Sequence, residues 1–239
     1  MIEAHLLKLR ARDDLSPEEE QAIRGAVAEV REVAADKTII RAGDELSVSV
    51  LLLDGILCRY KDLRDGSRQI SELHVVGDFA DLHSFTLKRL DHSVMALTRC
   101  RIALVPHERI EAITTEHPHL ARLWWFTTNM DAAIHREWVL SLGRRSALSR
   151  TAHLFCELRV RLGLVGLADG AGYELPLTQT DLAECLGLTP VHVNRTLKEL
   201  RTRGLVEFRG GRVAIHDPGG LERVAEFDPA YLYLERRSR

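Results

Sequence analysis

The sequence predicts an α+β protein: a β-rich first half folded as an antiparallel roll, one long helix, and a C-terminal part of short helices closed by a β hairpin. Three observations carry that reading. Between Lys37 and Pro106, short runs rich in β-branched residues alternate with turns that contain Gly and Asp, the regular spacing of an antiparallel barrel or roll. From His119 to Leu142 apolar residues recur at helical period without a break. From Leu177 to Gly204 two amphipathic segments are joined by a very short turn. The expected domains are residues 1–118, a helix over 119–145, and residues 146–239.

A helix is predicted first, over residues 16–35. Ser16, Pro17 and three glutamates make a good start, because a cap oxygen and acids suit the positive end of a helix. Six strands should follow: Thr38–Arg41, Val48–Leu53, Ile56–Tyr60, Arg68–Val75, Ser93–Leu97 and Arg101–Val105. The long helix is apolar on more than one side, so one face can pack on the roll while another needs a second partner. A second copy of the same helix is the economical choice, with Leu123, Thr127, Met130, Ile134 and Trp138 as the expected seam of a homodimer. "LGRRS" should end this helix near Gly143, a further helix should span about Ser146–Val165, and the loop "GLADGAG" leads on.

Composition narrows the class. The 239 residues are 45% hydrophobic and 28% charged, ordinary for a folded chain. The net charge of −2 hides an asymmetry, acids crowding the start and arginine the end, which points to a localised polyanion site. No apolar run reaches a membrane span and no signal-peptide pattern opens the chain, so a cytoplasmic location is expected. Cys58, Cys100, Cys156 and Cys185 are scattered and read as small buried apolar residues, with Cys185 the best placed for redox sensing. No nucleophile elbow, P-loop or metal-ligand spacing occurs, so no enzyme, metal or cofactor is expected.

The stretch "LTQTDLAECLGLTPVHVNRTLKELRTRG" is the most informative. Thr178 can cap the first helix, with Asp181 completing a capping box. Gly187 supplies the left-handed residue that ends it. Thr189 caps the second helix, whose first turn holds Pro190. Val193, Leu197 and Leu200 should face inward, leaving His192, Asn194, Arg195, Lys198, Arg201 and Arg203 outside. "LVEFRGGRVAIH" then reads as a hairpin turning at Gly210–Gly211. Helix, tight turn, helix and β wing make a winged helix-turn-helix, and the surplus of cations suits a phosphate backbone.

This stretch resembles the DNA-binding signature of the Crp/Fnr superfamily of bacterial transcription regulators, and the order of roll, long helix and winged helix-turn-helix agrees over nearly the whole chain. The resemblance implies a homodimer on a two-fold-related double-stranded DNA operator, with a cyclic-nucleotide-binding-like roll as signal input and RNA polymerase as a further partner. It places phosphate contacts on Thr178, Thr180, Thr189 and Arg209, and base reading on Arg195; Lys198, on the positive face of the second helix, is a further expected phosphate contact. The positions that carry Arg and Glu in the catabolite activator type are Pro190 and Val191 here. Neither makes a bidentate bond to a base, so they should touch apolar features and leave polar readout to His192 and Arg195.

The segment "GDFADLHSFTLKRLDHSVMALT" is similar to the phosphate-binding cassette of cyclic-nucleotide sensors. The ribose-binding Glu and the phosphate-binding Arg of that cassette fall on Leu82 and His92. A leucine accepts no hydrogen bond and a histidine is mostly neutral at pH 7, so cyclic nucleotide control is not expected. Leu82, His83, Ser84, His92 and Ser93 are the candidate pocket for some other effector, such as a small acidic metabolite. No cysteine precedes Cys58, which argues against an iron–sulfur sensor. The alternative function is a ligand-sensing dimer, binding haem or such a metabolite, whose main role is not DNA binding.

Overall fold

In the computed structural model, which describes residues 2–238, two short helices come first: α1 (Glu3–Arg10) and α2 (Pro17–Gly25). Helix α1 has no side-chain cap, and so no cap signal in the sequence announces it. Helix α2 starts on a complete capping box. Ser16 Oγ accepts from Glu19 N at 3.1 Å, and the Glu19 carboxylate accepts from Ser16 N at 2.8 Å. The helix stops at Gly25 rather than running to residue 35. Glu29–Val33 is strand β1, paired antiparallel with β7 (Cys100–Pro106) from Glu29↔Leu104 to Val33↔Cys100. Backbone pairing along an open strand edge outweighs the helix preference of its Glu and Arg residues.

The roll is completed by β2 (Lys37–Ile40), β3 (Val48–Asp54), β4 (Leu57–Asp62), β5 (Arg68–His74) and β6 (Ser93–Ala96), with the short helix α3 (Ser84–Leu87) between β5 and β6. The strands form two sheets, ordered β1-β7-β3 and β2-β6-β4-β5. All six expected strands lie within two residues of their anticipated ends. One apolar cluster gathers Ile40, Val50, Leu52, Leu57, Val94 and Ile102 from these strands. A second joins Leu6, Leu51, Phe79, Leu82, Ile110 and Leu123, tying α1 and the roll to α4 (His107–Glu116) and the start of α5 (Pro118–Arg144). Helix α5 passes through Gly143 to Arg144, because a glycine weakens a helix without the steric block a proline imposes.

The chain divides into two compact units. Met1–Lys61, Leu73–Ala133 and Leu234–Arg239 form the first, and Asp62–Glu72 with Ile134–Tyr233 the second, so the division in sequence falls inside α5. The second unit contains α6 (Ala147–Gly163), β8 (Ala168–Asp169), β9 (Gly172–Glu174), α7 (Gln179–Leu186), α8 (Pro190–Thr202), β10 (Val206–Arg209), β11 (Arg212–Ile215), α9 (Pro218–Ala225) and a 3₁₀ turn at Pro229–Leu232. Ser146 caps α6 by accepting from Ser149 N at 3.1 Å. The glycine-rich loop expected after α6 contains the two-strand ribbon β8–β9, and the sheet runs β10-β11-β9-β8. Glu157 is buried on α6 with its charge met from three sides. Trp138 Nε1 donates at 3.2 Å, Tyr231 Oη at 2.8 Å and Arg161 Nη1 at 2.9 Å.

The β9–β11 pair depends on Gly172. Its φ is +141°, and a Cβ added there would lie 1.9 Å from the Val213 carbonyl oxygen. Gly172→Ala is expected to lower the unfolding free energy by about 3 kcal/mol, through strain and a lost strand contact. Gly25, at the end of α2, has no atom within 4 Å of such a Cβ. Gly25→Ala should leave stability unchanged or raise it by up to about 1 kcal/mol. Urea denaturation of the two variants checks both.

Candidate nucleic-acid interface

Local chemistry builds the helix pair α7–α8 as the sequence implies. Thr178 Oγ1 accepts from Asp181 N at 3.1 Å, and Asp181 Oδ2 accepts from Thr178 N at 2.7 Å. Gly187 ends α7 with φ +58°, the left-handed region that suits glycine. Two residues later Thr189 caps α8, its Oγ1 accepting from His192 N at 3.3 Å, and Pro190 occupies the first turn. Leu182, Ala183, Leu186, Val193 and Leu200 are buried, and Leu197 is half-buried. Thr196 is buried as well, which the spacing of apolar residues does not reveal; its Oγ1 donates to His192 O at 3.0 Å and so needs no outside partner.

The opposite face of α8 is open. Pro190, Asn194, Arg195, Lys198, Arg201 and Arg203 are exposed, His192 is half-buried, and Val191 is 82% exposed. A valine so exposed at the first turn of a capped helix gains nothing from its own fold. Gln179, unassigned in the sequence reading, lies beside this face, with Asn194 Nδ2 at 3.4 Å from its Oε1. Thr178, Thr180 and Thr189 are exposed at the N-terminal ends of α7 and α8, where unpaired backbone N–H groups and the helix dipole favour anions. At the hairpin between β10 and β11, Gly210 and Gly211 have φ +59° and +77°, the paired positive values of a type I′ turn.

Charge separates the cations into two sets. Arg203 donates to Glu199 at 2.5 Å, Arg212 to Glu174 at 2.6 Å, and Arg201 approaches Glu207 at 3.7 Å. Among the described residues, Arg195, Lys198 and Arg209 have no ion pair. These three are the cations the sequence assigns to DNA.

The residues proposed for an effector have different surroundings. Leu82 is buried in the apolar cluster with Leu6, Phe79 and Leu123. Ser84 is buried elsewhere, its Oγ donating to Asp81 Oδ2 at 2.9 Å and lying 3.1 Å from His107 Nε2 and 3.2 Å from Ser49 Oγ. Ser93 Oγ accepts from Ala42 N at 3.1 Å. His83 and His92 come together, with ring centroids 5.5 Å apart. Burial, reinforced by the charge of Arg59, lowers His83 to about 4. Burial also lowers His92 from its ordinary value, against the upward pull of Asp91, whose Oδ1 is 3.0 Å from His92 Nδ1. Both shifts favour the neutral ring, so neither histidine is a fixed cation in the way an arginine is.

Arg59 on β4 is the cation at this place, and the sequence reading missed it. Its guanidinium donates to Ala80 O at 3.0 and 2.8 Å and to Asp131 Oδ2 at 2.6 Å. A strand arginine outside the cassette gives no local signal, because its partners lie far off in the chain.

Of the five expected seam residues of α5, three are buried within the single chain and two are half-buried. Leu123 and Trp138 are buried, and Ile134 is only 3% exposed within a single chain, while Thr127 and Met130 are half-buried. Arg12 Nη2 points to the Met130 sulfur at 3.8 Å. The exposed large apolar residues of α5 are Trp125 at 69%, Val139 at 59% and Leu140 at 46%, and Ala132 is exposed as well. Trp125, Ala132 and Val139 are spaced seven residues apart, on one side of the helix.

The comparisons with known proteins agree with this architecture. Residues 30–117 match the cyclic nucleotide-binding domain model, and residues 149–224 match the Crp-like helix-turn-helix domain model. The nitrogen fixation regulation protein FixK of Bradyrhizobium diazoefficiens is 30% identical over 198 residues, covering 80% of each chain. The transcriptional activator protein FnrL of Cereibacter sphaeroides is 29% identical over 202 residues, covering 82% of this chain and 80% of that one. Among solved structures, FixK2 from Bradyrhizobium japonicum superimposes with a TM-score of 0.75 at 26% identity, covering 83% of this chain and 97% of the other. The chain belongs to the Crp/Fnr family of transcriptional regulators, and it is a DNA-binding regulator.

Membership in a family with a cyclic nucleotide-binding domain model sharpens one expectation. Leu82 is turned into the core, burial favours the neutral ring of His92, and Arg59 is engaged by Ala80 and Asp131. Calorimetric titration with cyclic AMP or cyclic GMP should therefore show no binding at micromolar concentrations, and neither nucleotide should change DNA affinity. Micromolar binding coupled to tighter DNA binding would contradict this.

Proposed function

We propose that the chain acts in the cytoplasm as a homodimer on a two-fold-related DNA operator, regulating transcription together with RNA polymerase and without a cyclic nucleotide. The carrying observation is the set of unpaired cations. Arg195, Lys198 and Arg209 stand exposed on the recognition helix and wing while their neighbours are neutralised by glutamates. Arg195 is assigned to a base edge, with His192 beside it and Val191 and Pro190 touching apolar features such as a thymine methyl. Thr178, Thr180, Thr189, Lys198 and Arg209 are assigned to phosphates, where they set register and carry no sequence information. Leu82, His83, Ser84, His92 and Ser93 remain the proposed place for any effector, with the rings of His83 and His92 coming together there.

Selection of bound fragments from the organism's own genome tests this reading, and affinity for the selected fragment should fall as salt rises. On that fragment Arg195→Ala should lose about 1–3 kcal/mol of preference over scrambled DNA. Arg209→Ala should weaken all sequences about equally and reduce the salt slope by about 1. An unchanged preference in the first variant, or an effect at one base position in the second, would reverse the two roles.

The dimer is assigned to the α5 face that carries Trp125, Ala132 and Val139. Two recognition helices reach successive major grooves only about 34 Å apart, and a shared helix pair can hold that spacing. Val139→Glu should yield folded monomers with weak operator binding, because a carboxylate in an apolar seam has no partner. Ile134→Glu should instead lower the stability of the chain itself, by several kcal/mol on the order of other buried unpaired charges. Sedimentation with thermal melts separates the outcomes; an intact Val139→Glu dimer would move the interface off this face.

A further inference from the structure

Every helix ends with carbonyls that its own backbone cannot satisfy. On α7, the Gly187 and Leu188 N–H groups return to Ala183 O. The next three carbonyls, on Glu184, Cys185 and Leu186, are met by side chains from outside the helix pair. Gln69 Nε2, from β5, donates to Glu184 O at 2.8 Å and to Cys185 O at 3.5 Å, and is steadied by Ile70 O at 2.7 Å. Arg150 Nη1, from α6, donates to Leu186 O. Arg150 Nη2 reaches Leu142 O and Arg145 O, both at 3.1 Å, at the end of α5.

Two features set this arrangement apart from ordinary capping. Among the described residues no carboxylate pairs with Arg150, so its charge is balanced only by carbonyls at the negative ends of α5 and α7. The turn, exposed at Gly187 itself, is also lined on the side where a side chain would stand. A Cβ on Gly187 would lie 3.2 Å from Leu142 Cδ2, 3.4 Å from Gln69 Oε1 and 3.6 Å from Arg150 Nη1. The same side chains that satisfy the carbonyls therefore line one side of the turn between the two helices.

We propose that Gln69 and Arg150 are positioning residues for operator recognition: they seat the Gly187 turn and so fix the direction in which α8 projects. The inference rests on the reading of the protein as a dimer on two half-sites. A dimer distinguishes half-site spacings only while each recognition helix is held at a fixed angle. Loosening the seat should therefore erase spacing discrimination before it erases contact with a single half-site.

The test uses the full-length protein and the selected operator, in its native form and with one base pair inserted between half-sites. Gln69→Glu replaces a donor amide by an acceptor carboxylate facing carbonyls. Arg150→Lys keeps the charge but not the forked donor set. In each, the preference for native spacing should fall about tenfold, the scale of one lost charged or buried hydrogen bond. Affinity for an isolated half-site should stay near that of the wild type. Gln69→Met, which keeps the bulk without the donor, should fall between wild type and Gln69→Glu. Should Arg150→Lys fail to fold, the two Gln69 variants carry the test alone. Folded variants that discriminate spacing as the wild type does would overturn the proposal. A wild-type protein that bound no genomic fragment would instead overturn the operator reading on which it rests.

Discussion

The left-handed turn at Gly187 is the constraint from which the DNA-binding unit follows. A φ of +58° lets α7 stop and α8 begin two residues later, with Thr189 already placed as the next cap. A longer or looser connection would let α8 pack along its neighbours and bury more of its surface. Instead one side of α8 closes the core with Val193, Thr196 and Leu200, and the other is left with Val191 and Arg195 in the open. That open side is the surface on which a partner can reach α8 without disturbing its core. The wing is held by a comparable backbone device, the approach of Gly172 to β11 that leaves no room for a side chain.

Electrostatics divides the same way between structure and recognition. Inside the second unit, Glu157 is surrounded by donors from Trp138, Arg161 and Tyr231, so the carboxylate can be buried without an unmet charge. In the roll, Arg59 is closed off by Ala80 and Asp131. On the recognition helix and wing the pairing is incomplete, and the cations left over are the ones placed to face phosphate. The near-neutral total charge thus conceals a local positive surface made by withholding glutamates from three positions.

Much of this was legible in the sequence because it rests on local chemistry. Capping boxes at Ser16 and Thr178, glycines at 187 and 210–211, and strands bounded by turns all depend on neighbours within a few residues. What was not legible depends on the rest of the fold. Residues 29–33 became a strand because β7 offers an edge some seventy residues away. On α5, two apolar stripes with nearly the same period compete, and periodicity cannot say which packs on its own chain. Ile134 and Trp138 do so, while Trp125 and Val139 do not. Arg59 and Gln69 act through carbonyls of distant residues, and no motif spacing announces a partner of that kind.

Arg59 is joined at 2.6 Å to a carboxylate of its own chain. An anion approaching this guanidinium therefore competes with Asp131, and its affinity there is reduced by whatever it takes to free the pair.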